Sequence, residues 1–320
     1  MVGTRGSGCN PCSRGALLWL RLPGIVAPMS KGIYIHAGAH RTGSSSFQSC
    51  LHHNRDTLAA RGFDVAYPGR DGVPRGRLRL RLPASRHGEN RLAGFAEDLR
   101  GHLQGLSPDP GRALILSEEN IVGRMLHFSH GQFYPVAEKR IATLARAQEA
   151  PPRAVLLVVR PYAGLYVSAW RKRAEDTAAA PFSETVQHLM AMDRGWPDII
   201  TALRDGLRPE RLIVVDYAQR GESRGLLHRL VPEVPRDDLA EPDRQINISA
   251  TDAALQALQA RLHAGEKLAR PDWQAVIADH AQDTRDLGLT ALTSDQQQVL
   301  NDRYASDLDR IRALPGVLFA

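Results

Sequence analysis

The chain has 320 residues, of which 43% are hydrophobic and 24% are charged, and these values are ordinary for a folded globular protein. They disfavour a disordered chain, a collagen and, with three cysteines, a disulfide scaffold. No apolar run reaches the roughly 18 residues that a membrane-spanning helix needs. The length fits either two domains or one large α/β domain.

The positive charge is concentrated near the beginning of the chain. The formal net charge is +6, and only four of the 41 basic residues are lysines. Residues 1–55 contain six basic residues and no acid, and residues 70–91 contain seven arginines and two acids. The rest of the chain is therefore net negative, so the positive field is local and predicts an anionic ligand or partner at the N-terminal half.

The first 28 residues differ from the rest of the chain in their residue pattern. They combine basic residues with a short apolar patch, but Arg21 interrupts the patch and a good cleavage site is lacking. We expect residues 1–28 to be a disordered leader or to precede the true start at Met29, and residues 29–320 to form a single domain. Cys9 and Cys12 form one CxxC pair without a second pair, so no metal site is expected.

Apolar runs alternate with helical patterns along the chain. After the first strand, a helix is expected to run through Leu58 and Ala59 and to end at Gly62. The alternation predicts an α/β fold in three layers, with a parallel sheet flanked by helices. The runs that predict strands are residues 32–36, 62–69, 113–116, 153–161 and 211–217.

Two further segments carry local predictions. The alternating RLRLRL at residues 77–82 predicts an edge strand or a basic flap. From Thr251 to residue 320 the pattern is wholly helical, with Thr293 or Ser294 as the N-cap of the last helix. Ser249 or Thr251 is the expected N-cap where this tail begins.

A loop of small residues follows the first predicted strand. Gly38 and Gly43 are five residues apart, which permits a tight turn, and the next helix presents unpaired N–H groups and its positive dipole end to an anion. Nucleotide hydrolases place Lys and then Ser or Thr after the second glycine. Here Ser44 follows Gly43 and the cation, Arg41, lies inside the loop. The loop predicts an anion site and disfavours a magnesium-dependent kinase, although a turn without a ligand is also compatible.

The segment IHAGAHRTGSSSFQ, residues 35–48, resembles the 5′-phosphosulfate-binding loop of sulfotransferases that use 3′-phosphoadenosine 5′-phosphosulfate (PAPS). It is most similar to bacterial sulfotransferase-like families that read H-[KR]-T-G-[TS]-[TS]-S. Arg160, at the end of a predicted strand, and Ser168, eight residues later, have the spacing of the family's 3′-phosphate-binding pair. Pro161 suits the first turn of the helix between them.

The resemblance extends from about Ile33 through Tyr217 and implies a P-loop nucleotide-binding fold of the sulfotransferase type. It implies PAPS as the donor and no metal. The residues that it places on the donor are Arg41, Thr42, Gly43, Ser44, Ser45, Arg160 and Ser168.

Two carboxylates, Glu118 and Glu119, follow the third predicted strand. Ser117 can cap a helix whose first turn would hold both acids, and the helix dipole favours acids there. In the resembling family the catalytic base, His or Glu, follows this strand, which points to Glu118, with Glu119 as the second choice. His40 flanks the loop, where it can orient a sulfuryl oxygen.

The sequence departs from the family at two places. Arg41 stands where many sulfotransferases have Lys, and because arginine does not readily release a proton, its help to the leaving group would be electrostatic. The Arg-Lys-Gly segment that cytosolic sulfotransferases use as an extra 3′-phosphate clamp has no counterpart.

These observations predict a cytoplasmic sulfotransferase that acts on a hydroxyl or amine of a polysaccharide, glycolipid or small molecule. A P-loop nucleotide kinase or other phosphoryl-transfer protein, and a noncatalytic binder of anions or glycans, are the alternatives. Nucleic acid is not an expected partner, because the arginines lack interleaved aromatic residues. The oligomeric state has no sequence signal.

Overall fold

The computed structural model describes residues 32–70, 72–243 and 249–320, together with residues 1 and 3. The predicted leader, residues 1–28, lies outside the described residues except for Met1 and Gly3. Within the described ranges, no helix is both long enough and apolar enough to cross a membrane.

A single parallel sheet forms the middle layer of the described chain. Its six strands have the order β2-β3-β1-β4-β5-β6, and each neighbouring pair is parallel. This confirms the predicted α/β architecture of a parallel sheet flanked by helices. The strands are β1 (Ile33–His36), β2 (Phe63–Ala66), β3 (Ala113–Ser117), β4 (Ala154–Val159), β5 (Arg211–Asp216) and β6 (Val317–Phe319).

Helices cover both faces of the sheet. The described helices are α1 (Ser44–His53), α2 (Arg55–Ala60), α3 (Leu92–Leu106), α4 (Ala137–Ala147), α5 (Tyr162–Ala174), α6 (Phe182–Met190), α7 (Trp196–Leu207), α8 (Ser223–Leu230), α9 (Asp252–His263), α10 (Arg270–Asp279) and α11 (Ser294–Arg312). Side chains of α1, α2 and α8 pack on one face, and those of α3, α4, α5, α7 and α11 pack on the other.

Strand β4 shows why helices cover both faces of the sheet. All six of its residues are apolar and fully buried, and successive strand residues point to opposite faces. Val155 and Leu157 belong to the core under α4 and α7, whereas Leu156 and Val158 belong to the core under α1 and α8. Such unbroken apolar runs are typical of strands buried on both faces.

The prediction of a wholly helical chain from Thr251 onward is wrong. Thr251 and Thr293 do cap α9 and α11 through their hydroxyls, but the chain then returns to the sheet as β6, which pairs with β5. A three-residue strand is too short for its sequence pattern to be recognised. Its conformation is decided by the open edge of β5.

The predicted helix through Ala59 is two helices, α1 and α2, that meet at Asn54. The Asn54 Nδ2 group donates to the carbonyl of Ala240 at 2.8 Å, and its Oδ1 accepts from the Ala240 N–H at 2.8 Å. Ser117 does not cap a helix, because it is the last residue of β3 and its hydroxyl bonds to the His36 ring at 2.8 Å.

The RLRLRL segment does not join the sheet. Leu78 and Leu82 are buried in the core, whereas the three arginines at 77, 79 and 81 are exposed. The segment lies against α3, where the Arg77 side chain donates to the Gly105 carbonyl at 3.0 Å. The alternation therefore marks an extended cover over α3 and not an edge strand.

The strand order places a crevice at the centre of the sheet. β1 lies between β3 and β4. After β1 the chain goes to β2 at one edge, whereas after β4 it goes to β5 toward the other edge. Ligands of open α/β sheets bind at such a switch point, beyond the carboxyl ends of the strands.

Candidate functional site

The loop between β1 and α1 is closed by its own hydroxyl groups. Thr42 Oγ1 and Ser44 Oγ both donate to the Ala39 carbonyl, at 2.8 and 2.9 Å. Gly43 has φ +96°, and a Cβ there would lie 2.8 Å from Arg220 Cζ, so glycine is required. The first N–H groups of α1 have no carbonyl of their own helix to bond, and the helix dipole makes this end positive.

Arg41 connects this loop to the other predicted phosphate-binding residues. Its backbone has φ 65°, which is uncommon for a residue other than glycine. Its Nε donates to Ser168 Oγ at 2.7 Å and its Nη2 donates to Ser249 Oγ at 3.3 Å. Arg160 Nη1 donates to the Arg41 carbonyl at 2.6 Å. Residues separated by 127 and 119 positions along the chain therefore meet through one arginine.

Two residues that follow β5 complete this side of the site. The Tyr217 ring has the Arg160 guanidinium 4.7 Å from its centroid and the Arg220 guanidinium 5.9 Å away, distances at which a cation is attracted to a ring. The buried Nε of Arg220 has no hydrogen-bond partner in the part of the chain that the structure describes. An orphaned donor of this kind next to Gly43 is suited to an anion.

The two carboxylates after β3 lie in one hydrogen-bonded cluster. Arg70 donates to Glu118 Oε2 at 2.9 Å and to Glu119 Oε1 at 2.6 Å. The Asn120 amide Nδ2 donates to Glu118 Oε1 at 2.8 Å, and Gln48 Nε2 donates to Glu119 Oε2 at 2.9 Å. The cluster holds both acids in fixed positions.

The two acids differ in exposure. The side chain of Glu118 is 1% exposed, and that of Glu119 is 13% exposed. Burial, together with the charge of Glu119, raises the pKa of Glu118, although Arg70 and Asn120 oppose the shift. Glu119 is therefore the carboxylate that solvent or a ligand can reach.

His40 is joined to the same cluster through Asn120. Its Nε2 lies 3.0 Å from Asn120 Oδ1, and that oxygen can only accept, so Nε2 carries the proton. Burial lowers the pKa of His40, which favours the neutral ring. The neutral ring offers Nδ1 as a hydrogen-bond acceptor.

These elements surround a cavity of about 970 Å³ at the carboxyl ends of the strands. Its walls come from the segments after β1, β2, β3, β4 and β5 and from α5. Among the described lining residues, one is acidic, Glu119, and the cationic ones are Arg41, Arg70, Arg124, Arg160, Lys172 and Arg220. An excess of cations this large, focused in one cleft, attracts a ligand with several negative charges.

The structure brings the predicted site residues together at this cavity. It is lined by His40, Arg41, Gly43, Ser44, Ser45 and Arg160. Thr42 and Ser168 are buried behind the lining, with exposures of 1% and 6%. Glu118 is also behind the lining, whereas Glu119, the second choice, is part of it.

Several lining residues are missing from the sequence prediction: Arg70, Asn120, Arg124, Lys172, Tyr217 and Arg220. Tyr217 carries a signal, because it follows β5 as directly as Arg160 follows β4, and Arg220 comes three residues after it. Arg70 is the first residue of the arginine-rich segment 70–91, which predicts an anionic ligand, whereas Lys172 belongs to no motif and only the folded chain places it beside the cavity.

Comparison of the sequence with protein families and with curated proteins finds no match. Among the described residues, no group of three or more His, Cys, Asp or Glu side chains is placed to hold a metal ion.

Proposed function

We propose that this chain is a sulfotransferase with a P-loop nucleotide-binding fold, which moves a sulfuryl group from PAPS to a hydroxyl or amine acceptor. The observation that carries the proposal is the contact between the two predicted phosphate-binding motifs. Arg41 of the first motif bonds to Ser168 of the second, and Arg160 bonds back to the Arg41 carbonyl. In this proposal the cavity holds two anion sites side by side, one for the 5′-phosphosulfate and one for the 3′-phosphate of the donor.

The first anion site, for the 5′-phosphosulfate, consists of the loop and the start of α1. Gly43, Ser44 and Ser45 line the cavity there, and their N–H groups belong to the first turn, where helices bind phosphate groups. The orphaned Arg220 Nε supplies a further donor.

The second site, for the 3′-phosphate, consists of Arg160 and Ser168. Ser168 lies behind the lining and accepts from Arg41 Nε at 2.7 Å, so it positions that guanidinium, and Arg160 is the member of the pair that lines the cavity. Burial lowers the pKa of Arg160, which nevertheless stays cationic at neutral pH and can form two parallel bonds to a phosphate.

Glu119 serves as the proton acceptor in this proposal. Its carboxylate lines the cavity, and Arg70 and Gln48 fix its two oxygens. Glu118, which the family resemblance favours, is enclosed by Arg70 and Asn120 and serves to position them. A base must come within hydrogen-bond reach of the proton that it removes, and the exposure of the two acids favours Glu119.

The transfer is an in-line displacement at sulfur. The acceptor oxygen or nitrogen forms a bond to sulfur while the bond to the bridging oxygen breaks, and the departing adenosine 3′,5′-bisphosphate takes that electron pair. The acceptor proton passes to Glu119. In this proposal Arg41 stabilises the charge on the leaving group, and a fixed cation in that role acts without reorganising during the step.

Calorimetric titration of the full chain tests the proposal. Adenosine 3′,5′-bisphosphate is expected to bind with the same affinity in magnesium and in chelator, and more tightly than ATP. Transfer of label from ³⁵S-PAPS to an added alcohol gives the direct activity readout. Binding of ATP alone, and only with magnesium, would contradict the proposal and favour phosphoryl transfer.

A further inference from the structure

A second, smaller pocket opens beside the cavity. Its volume is about 180 Å³, and it lies between the 3₁₀ segment Met125–His130, α5 and α6. It shares Met125, Leu126 and Lys172 with the lining of the main cavity. The two spaces are therefore neighbours with a common wall, and we call the smaller one the side pocket.

The inner wall of the side pocket is apolar and aromatic. Phe128, Tyr166, Trp170 and Leu189 line it, and each is at most 9% exposed. The polar atoms of the two larger rings are already used, since Tyr166 O–H bonds to a methionine sulfur and Trp170 Nε1–H to a backbone carbonyl. The wall therefore offers ring faces and aliphatic carbon, the surface that buries an apolar ligand most favourably.

The size of the side pocket restricts what it can hold. Apolar cavities of about 150 Å³ in proteins accept benzene, so a volume of about 180 Å³ suits one aromatic or alicyclic ring with a small substituent. It is too small for a sugar chain, and its apolar inner wall leaves sugar hydroxyls on that side without hydrogen-bond partners. The polar residues of the lining are Ser129, Lys172, Arg173, Asp176, Thr177 and Thr185.

The side pocket also shares a wall with the cavity that contains Glu119, the proposed proton acceptor. The loop that follows β3 carries Glu119 and, a few residues later, Met125 and Leu126 at the shared wall. Lys172 stands at the same border, held by Glu175 at 2.8 Å. A ligand seated in the side pocket can therefore direct a polar group past this border toward the carboxylate.

We infer that the side pocket binds the apolar part of the acceptor, which is then a phenol, an alcohol or an aryl amine built on about one ring. The inference rests on the proposed function, which it extends from the donor to the acceptor class. The acceptor O–H or N–H loses its proton to Glu119, its oxygen or nitrogen gains the sulfuryl group, and adenosine 3′,5′-bisphosphate leaves.

Binding of three probes to the full chain, measured by calorimetry, tests this inference. The probes are 4-methylphenol, the larger 2-naphthol and the polar ring myo-inositol, each titrated with and without saturating adenosine 3′,5′-bisphosphate. 4-Methylphenol is expected to bind at least tenfold more tightly than myo-inositol. Ala169→Leu, which fills the side pocket, should weaken 4-methylphenol at least tenfold and leave the affinity for the bisphosphate within twofold.

Two further variants test whether the effect is specific to the side pocket. Ala202→Leu makes the same change in a groove beside α7, away from both pockets, and should leave all affinities unchanged. Leu189→Ala enlarges the side pocket and should shift the preference from 4-methylphenol to 2-naphthol at least fivefold. Thermal melting verifies that each variant is folded.

Equal binding of 4-methylphenol to the native chain and to folded Ala169→Leu would overturn the inference. Loss of bisphosphate affinity in Ala169→Leu would also overturn it, because the side pocket would then hold the nucleobase. If the native chain does not bind the bisphosphate at all, the proposed function fails, and the titration of 4-methylphenol without nucleotide still decides whether the side pocket takes an apolar ring.

Discussion

Replacing Arg160 by alanine removes the residue that contacts both halves of the donor site. Its Nη1 bonds to the Arg41 carbonyl at 2.6 Å, and its guanidinium stacks on Tyr217 at 4.7 Å. In the proposed complex the same guanidinium faces the 3′-phosphate. The variant therefore loses the charge that opposes the phosphate and one hydrogen bond that fixes the loop.

The expected size of the effect follows from the half-buried position of Arg160. Removing one partner of a buried, hydrogen-bonded charge pair costs roughly 2–5 kcal/mol of binding free energy. Because solvent still reaches part of this side chain, a value of about 3 kcal/mol is appropriate, which weakens binding somewhat more than a hundredfold. The loss should diminish at high salt, since screening weakens the charge interaction in both proteins.

Calorimetric titration with adenosine 3′,5′-bisphosphate gives the affinity directly. Arg112→Ala is the matched control, because Arg112 is a partly exposed arginine that pairs with Asp64 at 3.0 Å, next to the start of β3 and away from the cavity. Its affinity should equal that of the native chain. An affinity for folded Arg160→Ala within threefold of the native value would refute the assignment of the 3′-phosphate to this residue.

The remaining predictions concern the carboxylates and a buried histidine. Glu119→Gln should lower the rate of sulfuryl transfer roughly 10²- to 10⁴-fold with bisphosphate affinity unchanged, and an equal or greater loss in Glu118→Gln alone would move the base to that residue. Burial and the charge of Glu119 raise the pKa of Glu118, and Arg70 opposes that shift. Arg70→Met should therefore raise the pKa of the Glu118 carboxyl further, which carbon-detected NMR titration measures, and an unchanged pKa would contradict this role of Arg70. Burial lowers the pKa of His36 to about 3, whereas an unfolded histidine titrates near 6.5. Between these two pH values the unfolded chain therefore binds one more proton than the folded chain. The free energy of unfolding falls as the pH falls through this range, by at most about 1.4 kcal/mol per pH unit. Urea unfolding between pH 4.5 and 7.5 should show a shallower dependence in His36→Asn, and identical slopes would show that this ring does not set the dependence.

The central strands are the part of the fold that the sequence predicts well. Residues 154–159 and 212–215 are apolar runs typical of a strand buried on both faces, and the strand bounds differ from the predicted ones by at most two residues. β6 has no such run and depends on the edge of β5. The break at Asn54 depends on Ala240, a partner that no local pattern reveals.

The candidate site also has parts that the sequence predicts and parts that it does not. The loop from Gly38 to Ser46 and the pair Arg160 and Ser168 are local motifs, so their spacing is visible in the sequence. The choice between Glu118 and Glu119 is not, because it depends on which carboxylate Arg70 and Asn120 enclose. Exposure of a side chain is a property of the packed chain, and adjacent acids have the same sequence signal.

The central position of β1 has a consequence for the order of folding. β1 pairs with residues 114–117 of β3 and 154–156 of β4, so it leaves the ribosome long before either neighbour. Pairing over such distances closes long loops, which is slow, and until then an apolar strand remains exposed to aggregation or to chaperones. The loop that opens the anion site is thus among the first parts of the described chain to be synthesised, and it becomes competent to bind only after residue 160 has emerged.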